Sequence, residues 1–276
     1  MCIIVVKPKK VEFPEKRTLR NCFSNNPDGA GFMYVDNNEV VIDKGYMSFR
    51  KFWKGYRRKN LSQDQTVIFH FRIGTSGQST CEFCHPFPLT FDRLAQTALN
   101  LRCDMGLVHN GIIGSLGNTF SSDTMEYITT ILSDPYIKYN LRDSKTIQSL
   151  IKNDIGHSKF AILYPDDNYV LINEEKFDEY KDCLYSNYTY MYNNNSYGYD
   201  SIVKYTPKQA TMLDNDDWFG ANEFDVSSPH RIANVDALNE TCEACFDSHK
   251  DCETCEEWEA MKQQFAKEDE YAEYCV

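Results

Sequence analysis

The chain has 276 residues, with 29 basic and 41 acidic side chains and a formal net charge of −12. At 42% hydrophobic and 14% aromatic residues it can bury a core, which excludes wholesale disorder. No apolar run approaches the roughly 20 residues of a helical membrane span, so no membrane partner is expected. The length suits one large domain, or one domain with an appendage. The N-terminal run Met1-Cys-Ile-Ile-Val-Val6 is too short and too poorly flanked for a secretory signal, so a cytoplasmic location is the expectation. In chain order, β-branched Ile3–Val6 reads as a buried strand. Gly31–Asp36 and Glu39–Lys44 flank Asn37-Asn38, a hairpin signal. Ser48 is placed to cap a helix running to about Lys59. Val67–Phe71 reads as a strand, and Thr90–Arg102 as a helix from the spacing of Phe91, Leu94, Ala95, Ala98 and Leu101. Met105–His109 is a short strand. Ser121 or Ser122 opens a helix through Leu132, with Ile128, Ile131 and Leu132 inward, and Ser144–Asn153 is a further helix. Lys159–Tyr164 and Tyr169–Ile172 form a second hairpin across Pro165-Asp166-Asp167-Asn168.

Charge is unevenly spread. Residues 1–60 carry +7 and residues 181–276 carry −13. The basic cluster Arg50, Lys51, Lys54, Arg57, Arg58 and Lys59 reads as the solvated face of a helix whose other side is Phe49, Phe52, Trp53 and Tyr56. With an acidic C-terminal third, no nucleic-acid partner is expected. After about residue 182 the composition shifts. Residues 183–234 begin with a Tyr/Asn-rich stretch without helical period, expected to be irregular and poor in core material. Residues 235–276 read as an acidic, Cys-rich helical tail.

Eleven cysteines without a secretory signal point to reduced thiols, a metal site or a catalytic thiol rather than a disulfide framework. Cys242-x2-Cys245 and Cys252-x2-Cys255, with His249 between them, suggest a structural zinc. The gap is short for a zinc ribbon. On a helix, Cys242, Cys245, His249 and Cys252 share one face and can simply pack as small residues. A third arrangement pairs either couple with Cys81-x2-Cys84, beside His85.

Cys2 is the sharpest chemical feature. Removal of Met1 leaves a residue carrying both a thiol and an α-amine. The amine's ordinary pKa of about 7.7–8.0 suits a general base near neutrality. Three further segments accompany it: Asn26-Pro-Asp-Gly-Ala-Gly-Phe-Met-Tyr34, His70-Phe-Arg-Ile-Gly-Thr-Ser-Gly77 and Val108-His-Asn-Gly-Ile-Ile113. Together, in order and approximate spacing over residues 2–182, the four resemble the glutaminase domain of class II glutamine amidotransferases in a stand-alone form. That resemblance implies an α+β fold, the four-layer αββα Ntn-hydrolase sandwich, with residues 183–276 as an extension.

The resemblance also implies roles. Cys2 is the nucleophile, and Asn110 with Gly111 forms the oxyanion site. Arg72 grips the substrate α-carboxylate, whose geometry its planar fork matches. Thr75, Ser76 and Gly77 support the same group, although the family often has His where Ser76 stands. Asp123, within Ser121-Ser-Asp-Thr-Met-Glu126, receives the α-ammonium, or else complements its helix start. Asp28 and Gly29 line the nucleophile side, and His85 is read as structural. L-glutamine is then the substrate, no cofactor is needed for the amide chemistry, and a separate synthase accepts the ammonia. Nothing after residue 182 resembles a second catalytic domain. A hydrolase of another γ-glutamyl amide or peptide, or an inactive binding module on the same fold, are the other readings.

Overall fold

Strand-forming residues that are apolar at every position need cover on both faces, and this requirement organises the molecule. The computed structural model describes residues 2–74, 80–114, 116–117 and 121–192. The chain divides into Met1–Val203 and Lys204–Val276, and all described residues lie in the first unit. The elements run β1 (Ile3–Lys7), α1 (Lys16–Asn25), β2 (Ala30–Asp36), β3 (Glu39–Tyr46), α2 (Phe49–Arg58), β4 (Val67–Phe71), β5 (Phe87–Pro88), α3 (Arg93–Thr97), β6 (Asn100–Cys103) and β7 (Gly106–Asn110). They continue with α4 (Asp123–Tyr127), a π-helical turn over Ile128–Leu132, α5 (Pro135–Asn140), α6 (Lys145–Ile155), β8 (Lys159–Leu163), β9 (Tyr169–Ile172), β10 (Asp178–Tyr180) and β11 (Cys183–Tyr185). The chain thus mixes α and β structure.

Seven strands form one sheet in the order β10-β11-β1-β4-β2-β3-β6, and four form another in the order β5-β7-β8-β9. Successive side chains on a strand point to opposite faces. Ile3 and Val5 of β1, Phe32 of β2 and Phe69 of β4 therefore pack with Leu19 and Phe23 of α1 and with Phe52 and Tyr56 of α2. Ile4, Val6, Met33 and Ile68 point the other way, onto Val108, Ala161 and Leu163 of the second sheet. The second sheet's outer face carries Leu107, Phe160 and Ile162 against Met125, Ile128, Leu132, Ile147 and Ile151 from the later helices. The core thus has three apolar sections, and the middle one lies between the sheets.

Several elements follow from local chemistry. Asn37 and Asn38 both take positive φ (52° and 58°), as a two-residue hairpin turn requires. Ser48 accepts from Lys51 N–H, Ser122 from Met125 N–H and Ser144 from Ile147 N–H, each satisfying an orphan donor at its helix start. The basic helix α2 buries Phe52 and Tyr56, while Phe49 and Trp53 are partly buried against the core.

Two expectations need correction. Residues Thr90–Arg102 are not one helix: only Arg93–Thr97 is helical, and Asn100–Cys103 is a strand. Lys44 explains the break. Its backbone N–H donates to the Leu99 carbonyl, and its buried Nζ donates to the Gln96 carbonyl at 2.7 Å and the Glu82 carbonyl at 3.0 Å. The edge of β3 therefore draws the chain out of the helix, and Leu94 is left 82% exposed. The expected boundary at residue 182 also fails. β11 pairs with β1, and Cys183, Tyr185 and Tyr190 are buried, so the start of the Tyr/Asn-rich stretch is core. The remainder of that stretch and the helical tail over 235–276 lie outside the described residues. Among the described residues no helix is long and apolar enough to cross a membrane.

Candidate active site

The strand ends at one edge of the two sheets bring distant residues into one cleft. Cys2 precedes β1, Arg72 follows β4, Gly111 follows β7, and Asp123 opens α4; all four line the cleft, with His109 and Thr124 beside them. β1 and β4 are antiparallel neighbours with Ile3 opposite Phe71, and this pairing sets Cys2 beside the Arg72–Ile73 corner. The Cys2 thiol is half-buried, and its Sγ lies 3.4 Å from the Ile73 N–H that donates to it and 3.5 Å from the Ile73 carbonyl. Burial pushes the thiol up from its ordinary range; the Ile73 hydrogen bond and the Arg72 charge oppose this only in part. The resting group near neutrality is a thiol, which needs a base before it can attack.

Asp28 and Gly29 brace the Arg72 corner. Arg72 N–H donates to the Gly29 carbonyl at 2.8 Å, Asp28 N–H donates to the Arg72 carbonyl at 2.9 Å, and the Asp28 carboxylate accepts from Gly74 N–H at 2.7 Å. Gly29 holds φ +122°, and a Cβ there would meet Cys84 Sγ at 2.3 Å. Arg72 itself is only 4% exposed.

Asn110 ends β7 opposite Lys159 of β8. Gly111 follows with φ +149°, and a Cβ would fall 2.2 Å from Ser158 Oγ, so the chain can turn here only through glycine. The Asn110 carboxamide packs against Ser186 Oγ at 2.8 Å. Asp123 is buried, and its Oδ2 accepts from Ile113 N–H at 2.9 Å while Oδ1 accepts from Thr124 N–H at 2.7 Å. Asp123 therefore caps backbone donors and also borders the cleft.

Sequence reasoning did not single out His109, Thr124 or Ser122 as lining residues. All three are chain neighbours of residues it did name, so the local motifs held the signal. His85, read as structural, also borders the cleft. Thr75, Ser76 and Gly77 lie outside the described residues, as do Cys242, Cys245, Cys252, Cys255 and His249. Among the described residues no group of three or more His, Cys, Asp or Glu side chains could hold a metal ion, and the six cysteines Cys2, Cys22, Cys81, Cys84, Cys103 and Cys183 are free thiols.

Three buried histidines cluster here: His85 and His109 on the cleft lining, and His70 behind them. His70 Nε2–H donates to the His109 carbonyl at 2.8 Å, and the His70 and His85 rings lie 4.2 Å apart. Thr124 Oγ1 meets His109 Nδ1 at 2.8 Å and His85 Nε2 at 3.2 Å. Burial lowers all three pKa values, that of His70 to about 3, with Asp123 partly offsetting the effect at His109. In the unfolded chain each titrates near its ordinary value of about 6.5. The folded state thus binds fewer protons below that pH, and stability present above it is lost as pH falls. The slope approaches roughly 1.4 kcal/mol per pH unit for each histidine. The melting temperature should hold between pH 7 and 8 and fall steadily on acidification below about 6.5, with a shallower fall in His70→Gln. A pH-independent melting temperature between 6.5 and 5 would contradict this.

No family model matches the sequence, and no curated protein is similar to it. Among solved structures, 19 chains match. One is the glutamine phosphoribosylpyrophosphate amidotransferase from B. subtilis complexed with ADP and GMP, at 15% identity and a TM-score of 0.38. The match covers 67% of this chain, which spans only 41% of that one. A likeness so remote carries neither residues nor activity across.

Proposed function

We propose that the chain is a glutamine amidase of the class II amidotransferase type on an Ntn-hydrolase sandwich, releasing glutamate and ammonia. One observation carries the reading: Cys2, Arg72, Gly111 and Asp123, contributed by four separate segments, border a single cleft. Each has a task in cleaving the side-chain amide of an α-amino acid. A thiol with an adjacent amine supplies nucleophile and base. An arginine fork suits the α-carboxylate and a carboxylate suits the α-ammonium. A glycine N–H beside a carboxamide suits a developing oxyanion.

The steps follow from those roles. With Met1 attached, the Cys2 nitrogen is an amide and no base, so processing must come first. The freed α-amine takes the thiol proton, and the sulfur attacks the glutamine side-chain carbonyl. The tetrahedral oxyanion rests on the Gly111 N–H and the Asn110 carboxamide. The protonated amine returns its proton to the leaving nitrogen, and ammonia departs from a γ-glutamyl thioester. Water, deprotonated by the same amine, releases glutamate and restores the thiol. A separate ammonia-consuming synthase completes this scheme, and a structural zinc on the C-terminal cysteines stays a proposal for residues outside the described set.

The test is intact mass and N-terminal sequencing after incubation with 6-diazo-5-oxonorleucine, an electrophilic glutamine analogue. Loss of Met1 with one adduct on Cys2 is the expected result. A retained Met1, or a Cys2 that stays unlabelled while other thiols react, would turn the reading towards a binding role or another amide substrate.

A further inference from the structure

We propose that Ser186 is a positioning residue for the oxyanion site, holding the Asn110 carboxamide so that its NH2 end, not its oxygen, is left for the reacting carbonyl. The proposal rests on the amidase reading above and extends it to a residue in a segment no sequence motif marks.

Ser186 directly follows β11, whose pairing with β1 sets Tyr185 opposite Val5. It is buried, at 1% exposure. It grips β1 twice: Ser186 N–H donates to the Ile4 carbonyl at 3.0 Å, and Ile4 N–H donates to Ser186 Oγ at 2.8 Å. The same Oγ lies 2.8 Å from one end of the Asn110 carboxamide, while the other end is buried and has no hydrogen-bond partner. The next residue, Asn187, donates from Nδ2 to the Cys2 carbonyl at 2.7 Å. Ser186 thus ties β1 to the oxyanion residue, and its neighbour Asn187 holds Cys2.

Donor counting decides which end of the amide faces Ser186. A hydroxyl has one proton to give and two lone pairs to receive with. Ile4 N–H can only donate, so it takes one lone pair. If the Asn110 nitrogen also donates, the second lone pair is used, the hydroxyl proton is left over, and a buried carbonyl oxygen is orphaned at the far end. Either orientation leaves one buried end of the amide without a partner, so the stranded hydroxyl proton, worth about 1–3 kcal/mol, is the difference between them. The two ends of a carboxamide have the same shape, so their identity is settled by the network around them. With the amide turned by 180°, Ile4 N–H donates to Ser186, Ser186 donates to Asn110 Oδ1, and every group on that side is matched. The end without a partner is then an NH2, the group an oxyanion requires. In the opposite orientation Asn110 would offer an oxygen to a developing negative charge, which repels it. The serine hydroxyl, with its acceptor side engaged by Ile4, selects the useful orientation. Alanine at 186 removes that selection and leaves the amide free to turn.

The test is a double-mutant cycle on glutamine hydrolysis by the full chain. Ser186→Ala should lower kcat about 10- to 100-fold, less than the 10²–10³-fold for deleting an oxyanion donor outright. KM should change less than about two-fold, and Ser186→Thr, which restores a hydroxyl, should recover most of the rate. In an Asn110→Ala background the Ser186 change should cost nothing further, whereas a general loss of structure would cost the same in both backgrounds. Equal losses in the two backgrounds, or an unchanged kcat in Ser186→Ala, would overturn the proposal. Neutron diffraction from perdeuterated crystals gives an answer independent of turnover. The expected map has both amide deuterons on the Asn110 end away from Ser186 and the Ser186 deuteron directed at Asn110. Deuterons on the near end would refute the orientation. A wild-type protein that leaves glutamine intact but shows the expected map would instead count against the amidase reading.

Discussion

On the proposed amidase reading, changing Cys2 to Ala should end the release of ammonia from glutamine while the protein stays folded. Removing a nucleophile that acts together with its base costs on the order of 10⁵–10⁶ in kcat, since the remaining donors can only bind and polarise the amide. The fold tolerates the change because the sulfur is half-buried and bonded only weakly to the Ile73 backbone, at 3.4 and 3.5 Å. Neighbours more than a few ångströms away gain little from it, so the melting temperature should shift by only a few degrees. The pH profile adds a second check on the same residue. Burial raises the thiol, so ionisation of Cys2 alone does not set the working range. The rate should instead rise with pH as the freed α-amine loses its proton, at about 7.7–8.0 if its surroundings leave it unshifted. Ammonia release coupled to glutamate dehydrogenase, measured from pH 6 to 9 on processed protein, reads both. A Cys2→Ala protein with wild-type turnover would remove the thioester mechanism altogether.

The residues that sequence reasoning brought together lie in short segments whose own chemistry is legible. The Asn37-Asn38 turn is one example, because two positive φ angles in succession select Asn over most residues. The Gly111 corner is another, because its φ of +149° lies where glycine is at ease and other residues are strained. Illegible parts depend on partners far away in the chain. Nothing local in Phe91, Leu94, Ala98 and Leu101 warns that a buried lysine at position 44 will claim the carbonyls of Gln96 and Leu99 and end the helix early. Ser186 is more extreme. It joins Ile4 across 182 positions and Asn110 across 76, from within a Tyr/Asn-rich stretch with no period to read. α1 was equally hidden: its Asn21 and Asn25 side chains donate to the Tyr190 and Thr189 carbonyls, so the segment that holds Ser186 is itself held from the other end of the chain. Hydrophobic spacing reports which face is buried; it does not report which polar groups wait there for a partner.

Replacing Arg72 by Ala should raise KM for glutamine about 10²–10³-fold, with a much smaller change in kcat. A carboxylate bound far from the scissile amide is held about equally in the ground state and the transition state, so its loss appears as uniform binding energy. Truncating one partner of a buried charged pair costs about 2–5 kcal/mol, which spans that range. Arg72→Lys keeps the charge but loses the planar fork, and should fall between the two. Because the Arg72 charge also draws the Cys2 thiol down, Arg72→Ala should leave that thiol still harder to ionise and slow its alkylation by iodoacetamide. The decisive comparison uses glutaminamide, in which the α-carboxylate is replaced by a neutral amide. Wild-type protein should strongly prefer glutamine, and Arg72→Ala should treat the two nearly alike, since each has lost one half of the same pair. A preference that survives in Arg72→Ala would move the carboxylate site elsewhere. It would leave Arg72, 4% exposed and latched through its backbone to Asp28 and Gly29, as a brace for the corner on which Cys2 rests.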